Sequence, residues 1–281
     1  MDEPHSAFGS RFPRKILLAS TLSVHSDRAF DRAARLARES GARLRVVNAV
    51  EPGLLPEAYV IENMERARRD AARDLRECAD APEGATVEIL VGEPAEAIVA
   101  DALSFGADLI VMGLSRETTM ARAFRGTTTA QVARRASCPV LAVKRRPVRA
   151  YERILVALDL RPASVAALDF VLAAFPQARL TIVHVDESGR PEGEAAAEIT
   201  RLVSARRAAL GKAVSAPEPT VSVLAGPTAL SLPETIEDIQ PDLVAIGTHG
   251  RTGIAGFFLG SVAEALLDTL AFDFLISRAR E

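Results

Sequence analysis

The sequence predicts an α/β protein made of two tandem, doubly wound, five-stranded parallel-sheet domains. Three observations predict it: short apolar runs alternate with segments of helical periodicity, the runs are apolar along most of their length, and the same order of segments occurs twice. In the first half "ILLAS", "LRVVNAV", "VEILVG", "DLIVMG" and "PVLAVK" have the composition of strands covered on both faces. Between the first two, Ala29, Phe30, Ala33, Leu36 and Ala37 recur at helical spacing, with Ser26 placed to cap that helix and Gly41 to end it. In "PAEAIVADALSFG", Pro94 stands near the first helical position and Gly106 just past the last. Alternating strands and helices imply right-handed crossovers, and hence parallel strands.

The duplication is read from five pairs of segments. "RKILLAS" (14–20) answers to "ERILVAL" (152–158), and "ARLRVVNAVE" (42–51) to "ARLTIVHVDE" (178–187). "VEILVGEPAEAI", "ADLIVMG" and "RGTTTAQVARRA" in copy one answer to "VSVLAGPTALSL", "PDLVAIG" and "LGSVAEALLDTL" in copy two. The offset drifts only from 138 through 136 to 134 positions along the chain. Such regularity marks an internal repeat, each copy forming a domain of ~140 residues.

Composition bounds the function. A net charge of −3 with 48% hydrophobic residues describes a globular chain with no overall attraction for nucleic acid. The basic run "KRRPVRAYER" reads as a solvated linker, because Pro147 and the like charges disfavour regular structure. No apolar stretch reaches the ~20 residues that cross a bilayer, and Cys78 and Cys138 form neither a metal motif nor a disulfide framework. The expectation is a cytoplasmic protein without a membrane partner. His5, His25, His184 and His249 are scattered and predict no zinc site; His184, on a buried strand, reads as a hydrogen-bonded core residue.

The segment "GTHGRTGIAGFFLGS" (247–261) directly follows the strand "PDLVAIG". In a doubly wound sheet, ligands lie beyond the carboxyl ends of the strands where the strand order reverses, and this segment follows the fourth strand of copy two. Glycines permit positive φ and remove Cβ atoms that would hold an anion away from backbone amides, while a helix N-terminus presents unpaired N–H groups. The same residues also suit a plain surface loop with Ser261 as a helix cap, and neither GxxxxGK[ST] nor GxGxxG is present.

The spacing G-x2-G-x9-G-[ST], met by Gly247, Gly250, Gly260 and Ser261, together with "ILVALD" and "LTIVHVDE" upstream, resembles the nucleotide-binding kind of universal stress protein domain. The chain from about residue 12 to 279 resembles the tandem members of that family. The resemblance implies a Rossmann-like, HUP-like domain in each half: 12–146 degenerate, 151–281 nucleotide-binding. It implies ATP, AMP or ADP as ligand, with Mg or Mn held through the phosphates rather than by the protein. Ala157 and Asp159 would hold the adenosine, Val185 would line the adenine, and the core of the site would run through Ile246, Gly247, Thr248, His249, Gly250, Arg251 and Thr252. Gly260, Ser261 and Val262 would close over the outer phosphates. It also implies an internal pseudo-dimer of the two domains, with a homodimer as a further level of association.

Copy one departs from this pattern. Gly113, Gly126 and Thr127 fit it, but Arg116 replaces the second glycine and Thr21 stands in the place of Asp159, with Arg122 and Arg125 adding charge to the same loop. Copy two has irregularities of its own: Pro233 falls where copy one has a helical Val99, predicting a later start or a bend, and Asp273 is an odd residue for a strand. Three readings stand open. The first is a stress-response binding and signalling module for an adenine nucleotide. The second is a slow Mg-dependent ATP hydrolase, or a protein that phosphorylates itself at Ser261 or a neighbouring hydroxyl. The third is a structural or interaction protein without ligand.

Overall fold

The computed structural model describes residues 12–20, 27–51, 57–78, 80–114, 127–210, 217–248 and 260–279. The chain divides into two compact units, 13–148 and 149–281, with Phe12 belonging to the second. The N-terminal unit runs β1 (Lys15–Ala19), α1 (Asp27–Ser40), β2 (Arg43–Val50), α2 (Glu57–Glu77), β3 (Thr86–Val91), α3 (Pro94–Phe105), β4 (Leu109–Gly113), α4 (Thr128–Arg135) and β5 (Val140–Val143). The C-terminal unit repeats it as β6 (Arg153–Ala157), α5 (Pro162–Ala174), β7 (Arg179–Asp186), α6 (Glu192–Ala209), β8 (Thr220–Ala225), α7 (Thr228–Ile239), β9 (Leu243–Gly247), α8 (Ser261–Thr269) and β10 (Asp273–Ser277).

Within each unit the strands are parallel, in the order β3-β2-β1-β4-β5 and β8-β7-β6-β9-β10. The order explains the burial. β1 and β6 sit inside their sheets and are buried along most of their length, whereas β3 and β8, each at one edge of its sheet, are half exposed. Right-handed crossovers put the helices of the two directions of travel on opposite faces; α3 packs on α4, and α7 on α8. The order reverses between β1 and β4, and again between β6 and β9, so the loops leaving those strands part there.

Local signals account for the boundaries. Pro94 opens α3 and Gly106 ends it in the left-handed conformation, φ 67. Gly41 ends α1 in the same way, φ 69, while Ser26 lies outside the described residues. An aspartate does the same task in both copies. Asp108 accepts the amides of Arg14 and Lys15 at 2.8 and 3.0 Å, and Asp242 those of Glu152 and Arg153 at 3.1 and 2.9 Å, so each first strand starts bonded to the turn before the fourth. Burial pulls the Asp242 carboxyl upward, but the Arg153 and Glu152 amides and the Arg149 guanidinium outweigh it and leave it below the ordinary carboxylate value.

Two irregularities resolve differently from expectation. α7 starts at Thr228, the counterpart of Pro94, and continues through Pro233. It does not start late: the proline removes one N–H, while the Ser231 and Thr235 hydroxyls bond back to the carbonyls of Pro227 and Ser231. Asp273 is fully buried and accepts the Tyr151 hydroxyl at 2.7 Å. Tyr151 stacks edge-on against Phe175, which meets Phe170, which meets Phe12. Among the described residues no helix is long and apolar enough to cross a membrane.

Tyr151→Phe removes a donor from a buried carboxylate while keeping the ring, and is expected to destabilise the C-terminal unit by about 1–3 kcal/mol. Urea denaturation measures it; an unchanged midpoint would show that the hydroxyl contributes nothing.

Candidate functional site

At the reversal of strand order in the C-terminal unit, a cleft of about 580 Å³ opens beyond the carboxyl ends of β6, β7 and β9. This lies within the ~300–1,000 Å³ usual for small-ligand sites. Its apolar surface comes from Ala157, Val183, Val185, Ile246, Leu232 and Leu266, and polar groups are supplied by the loops after β6 and β7 and the first turns of α7 and α8. Pleating turns alternate residues of a strand to opposite faces.

The loop from β6 to α5 is folded around Asp159. Its Oδ1 accepts the Arg161 amide at 3.0 Å and the Ser164 hydroxyl at 2.6 Å, and its own amide donates to Ser164 Oγ at 3.2 Å. This Asx turn carries Leu160 through φ 63, a conformation that a Cβ makes unfavourable by roughly 1 kcal/mol or more. Asp159 is therefore both a turn former and a cleft residue, and Oδ2 stands 3.8 Å from Nε of Arg161.

Gly247 has a packing role that the sequence reading did not include. A Cβ there would lie 2.6 Å from the Ser164 nitrogen and 2.9 Å from the Ala163 carbonyl carbon. The missing side chain lets α5 approach the end of β9. Neither Gly247 nor Gly260 has a positive φ; Gly260 sits at φ −55, ψ 146, open to any residue. The Gly260 amide is engaged by the Thr248 carbonyl at 2.7 Å, and the Thr248 amide by the Ser277 carbonyl at 2.9 Å.

At the end of β7, His184 is buried with Nδ1 2.7 Å from the Leu158 carbonyl, so that nitrogen carries the proton. Asp186 organises the following loop: it accepts the Ser188 amide and hydroxyl at 2.6 and 2.5 Å and Arg190 Nε at 3.0 Å. The Ser188 hydroxyl and amide, with Arg190, hold its carboxyl down to about 2 against the opposing effect of burial. Arg190 also donates to Glu198. Glu187 reaches the other way and accepts the amide and hydroxyl of Thr228 at 3.0 and 2.7 Å, capping α7 from outside. Adjacent residues thus bind both flanking segments into one wall.

The opposite wall is the start of α8. Its N-cap is Gly260, with no side-chain cap, and Ser261 is the exposed first helical residue. The amides of Ser261, Val262 and Ala263 have no hydrogen-bond partner among the described residues, and all three line the cleft. Copy one differs here. Thr127, the counterpart of Ser261, is itself the N-cap of α4 and its Oγ1 accepts the Ala130 amide at 3.2 Å. In copy one a side chain takes one of the first helical amides, that of Ala130; in copy two no side chain takes any, and the helix start faces the cleft.

Of the residues expected at the site, Ala157, Asp159, Val185, Ile246, Gly247, Gly260, Ser261 and Val262 line the cleft. Thr248 is buried beneath it. His249, Gly250, Arg251 and Thr252 lie outside the described residues, as do Thr21, Arg116, Arg122, Arg125 and Gly126 of copy one. Arg161, Ser164, Glu187, Ser188, Arg190 and Thr228 also line the cleft and were not expected. Only the polar "DESGR" after a strand hinted at three of them. Among the described residues no group of three or more His, Cys, Asp or Glu could hold a metal ion.

Two outcomes follow from this geometry. Gly247→Ala is expected to destabilise the unit by about 1–3 kcal/mol by displacing the first turn of α5; a urea midpoint equal to wild type would remove the packing argument. Because the folded Asp186 pKa of about 2 lies below the ordinary 3.8, its stabilising contribution is complete above 3.8 and fades as the pH falls toward 2. The stability difference between wild type and Asp186→Asn should therefore be widest near neutral pH and shrink below 3.8; a constant difference in pH-dependent denaturation would contradict the assignment.

A model of the universal stress protein family matches residues 13–144 and 150–278. Over 136 residues the chain is 40% identical to the universal stress protein in the QAH/OAS sulfhydrylase 3'region of Thermus aquaticus, a match covering 47% of this chain and 98% of the relative. It is 30% identical over 190 residues to the universal stress protein Rv2005c of Mycobacterium tuberculosis, a match that spans 63% of each chain. The crystal structure of a universal stress protein from Archaeoglobus fulgidus DSM 4304 has the same fold, with a TM-score of 0.72 at 19% identity over 98% of both chains. The chain belongs to the universal stress protein family and carries its domain twice.

Proposed function

We propose that the C-terminal unit binds an adenine nucleotide, ATP or its mono- or diphosphate, and that the protein works as a nucleotide-responsive binding and signalling module of the stress response. The observation that carries this reading is the uncapped start of α8, where three unpartnered amides and the positive end of the helix dipole meet a cleft with an apolar lining. Phosphates would lie against Ser261, Val262 and Ala263. The adenosine would lie over Ala157 and Val185, with Asp159 beside the sugar. At the β7 wall Asp186 is paired with Arg190 and Glu187 holds Thr228, so the amides at the start of α8 are the better place for a polyanion.

The residues fit the nucleotide. Any divalent ion would be held by the phosphates. In the N-terminal unit Thr127 caps the equivalent helix start and Arg116 replaces the second glycine, which favours a domain that contributes packing over a second nucleotide site.

Ser261→Asp tests the reading sharply. A carboxylate in the first turn suits the helix dipole and leaves folding stability unchanged or slightly raised, yet it repels a phosphate at the same place. Isothermal titration is expected to show at least a roughly tenfold loss of ATP affinity, about 1.4 kcal/mol, with no fall in Tm. Equal ATP affinity in the variant, or a wild type that neither binds ATP nor gains Tm with it, would overturn the proposal.

A further inference from the structure

Leu158, the residue after β6, is held on both sides by consecutive residues of β7. Its amide donates to the Val183 carbonyl at 2.9 Å, and its carbonyl accepts from His184 Nδ1 at 2.7 Å. In an unbroken parallel ladder a residue donates to one residue of its neighbour strand and accepts from the amide two further on. The Leu158 carbonyl would then take the Val185 amide, but the imidazole takes its place. Val183 turns its main-chain groups toward β6, so Val185, two residues along the same pleat, does too. The Val185 amide has no hydrogen-bond partner among the described residues, and Val185 lines the cleft.

Copy one makes the same arrangement with a different side chain. The Ser20 amide donates to the Val47 carbonyl at 2.9 Å, and the Ser20 carbonyl accepts from Asn48 Nδ2 at 2.8 Å. Ala19 is in register with Val47 as Ala157 is with Val183, so Ser20, Val47 and Asn48 are the counterparts of Leu158, Val183 and His184. An amide and an imidazole have little in common except an N–H at similar reach. The position calls for a donor, although His184 is only 7% exposed and stands between Val183 and Val185.

We propose that His184 is a positioning residue of the cleft. By taking the Leu158 carbonyl it ends β6 before the ladder reaches Val185, fixes the path into the Asp159 turn, and leaves the Val185 main chain open to a ligand. The inference rests on the reading that this cleft binds an adenine nucleotide, and its test separates the two.

His184→Asn installs the donor of copy one; His184→Phe keeps a ring of similar bulk without a donor. Isothermal titration with ATP is expected to give His184→Asn an affinity within about threefold of wild type and His184→Phe one about five- to tenfold weaker. Amide hydrogen exchange over residues 158–161 should be faster in the Phe variant than in the Asn variant. Asn48→Leu, which breaks the latch of copy one, should leave ATP affinity unchanged. Wild-type affinity in His184→Phe, equal weakening in His184→Asn, or weakening by Asn48→Leu would each overturn the proposal. If the wild type binds no ATP, the nucleotide reading fails, and the exchange comparison alone decides: faster exchange in Phe than in Asn supports the latch, and equal exchange overturns it. Should His184→Phe not fold, His184→Ser, whose hydroxyl is too short to reach the carbonyl, replaces it with the same expected results.

Discussion

A parallel sheet must stop bonding to itself somewhere, and at its carboxyl end each amide and carbonyl that leaves the ladder needs another partner. In this protein those partners decide where a ligand can go. The Thr248 amide bonds to Ser277, the Gly260 amide bonds back to Thr248, and the Leu158 carbonyl bonds to His184. Around the cleft of the C-terminal unit, the amides at the start of α8 and of Val185 have no hydrogen-bond partner among the described residues. Since a buried unpaired amide costs about 1–3 kcal/mol, such amides are tolerated only where solvent or a ligand reaches them.

The internal repeat makes the contrast sharper, because two domains with one topology solve the same problems side by side. Asp108 and Asp242 start the first strands alike, and Asn48 and His184 finish them alike. These bonds belong to the fold and recur in both copies. The copies part at the helix after the fourth strand, where Thr127 bonds Ala130 but Ser261 is displaced into the helix and leaves its terminus open. The helix starts of the two copies thus differ by one residue.

Much of the fold was legible in the sequence because its signals are local. Apolar runs, Pro94, Gly41 and Gly106 act within a few residues of themselves, and the duplication allowed each copy to check the other. The site was legible in part, since strand ends such as Ala157, Ile246 and Gly247 line any crevice at a reversal of strand order. The reason for Gly247 was not legible: it lies in the backbone of Ser164, far along the chain, and not in the loop that follows. Asp273 looked out of place for a like reason, its partner Tyr151 standing 122 residues away. The wall built by Asp186, Glu187 and Thr228 depends on side chains reaching between elements, and no periodicity encodes that reach. Of the two outcomes expected at Pro233, the later start does not occur, because a helix can carry one missing N–H when the rest of its ladder holds.

The central claim concerns particular amides, and backbone NMR observes them one by one. Titration of the protein with ATP is predicted to shift the amide resonances of Ser261, Val262, Ala263 and Val185 while those of Thr127 to Ala130 in copy one stay in place. Shifts confined to copy one, or none at the start of α8, would contradict the account.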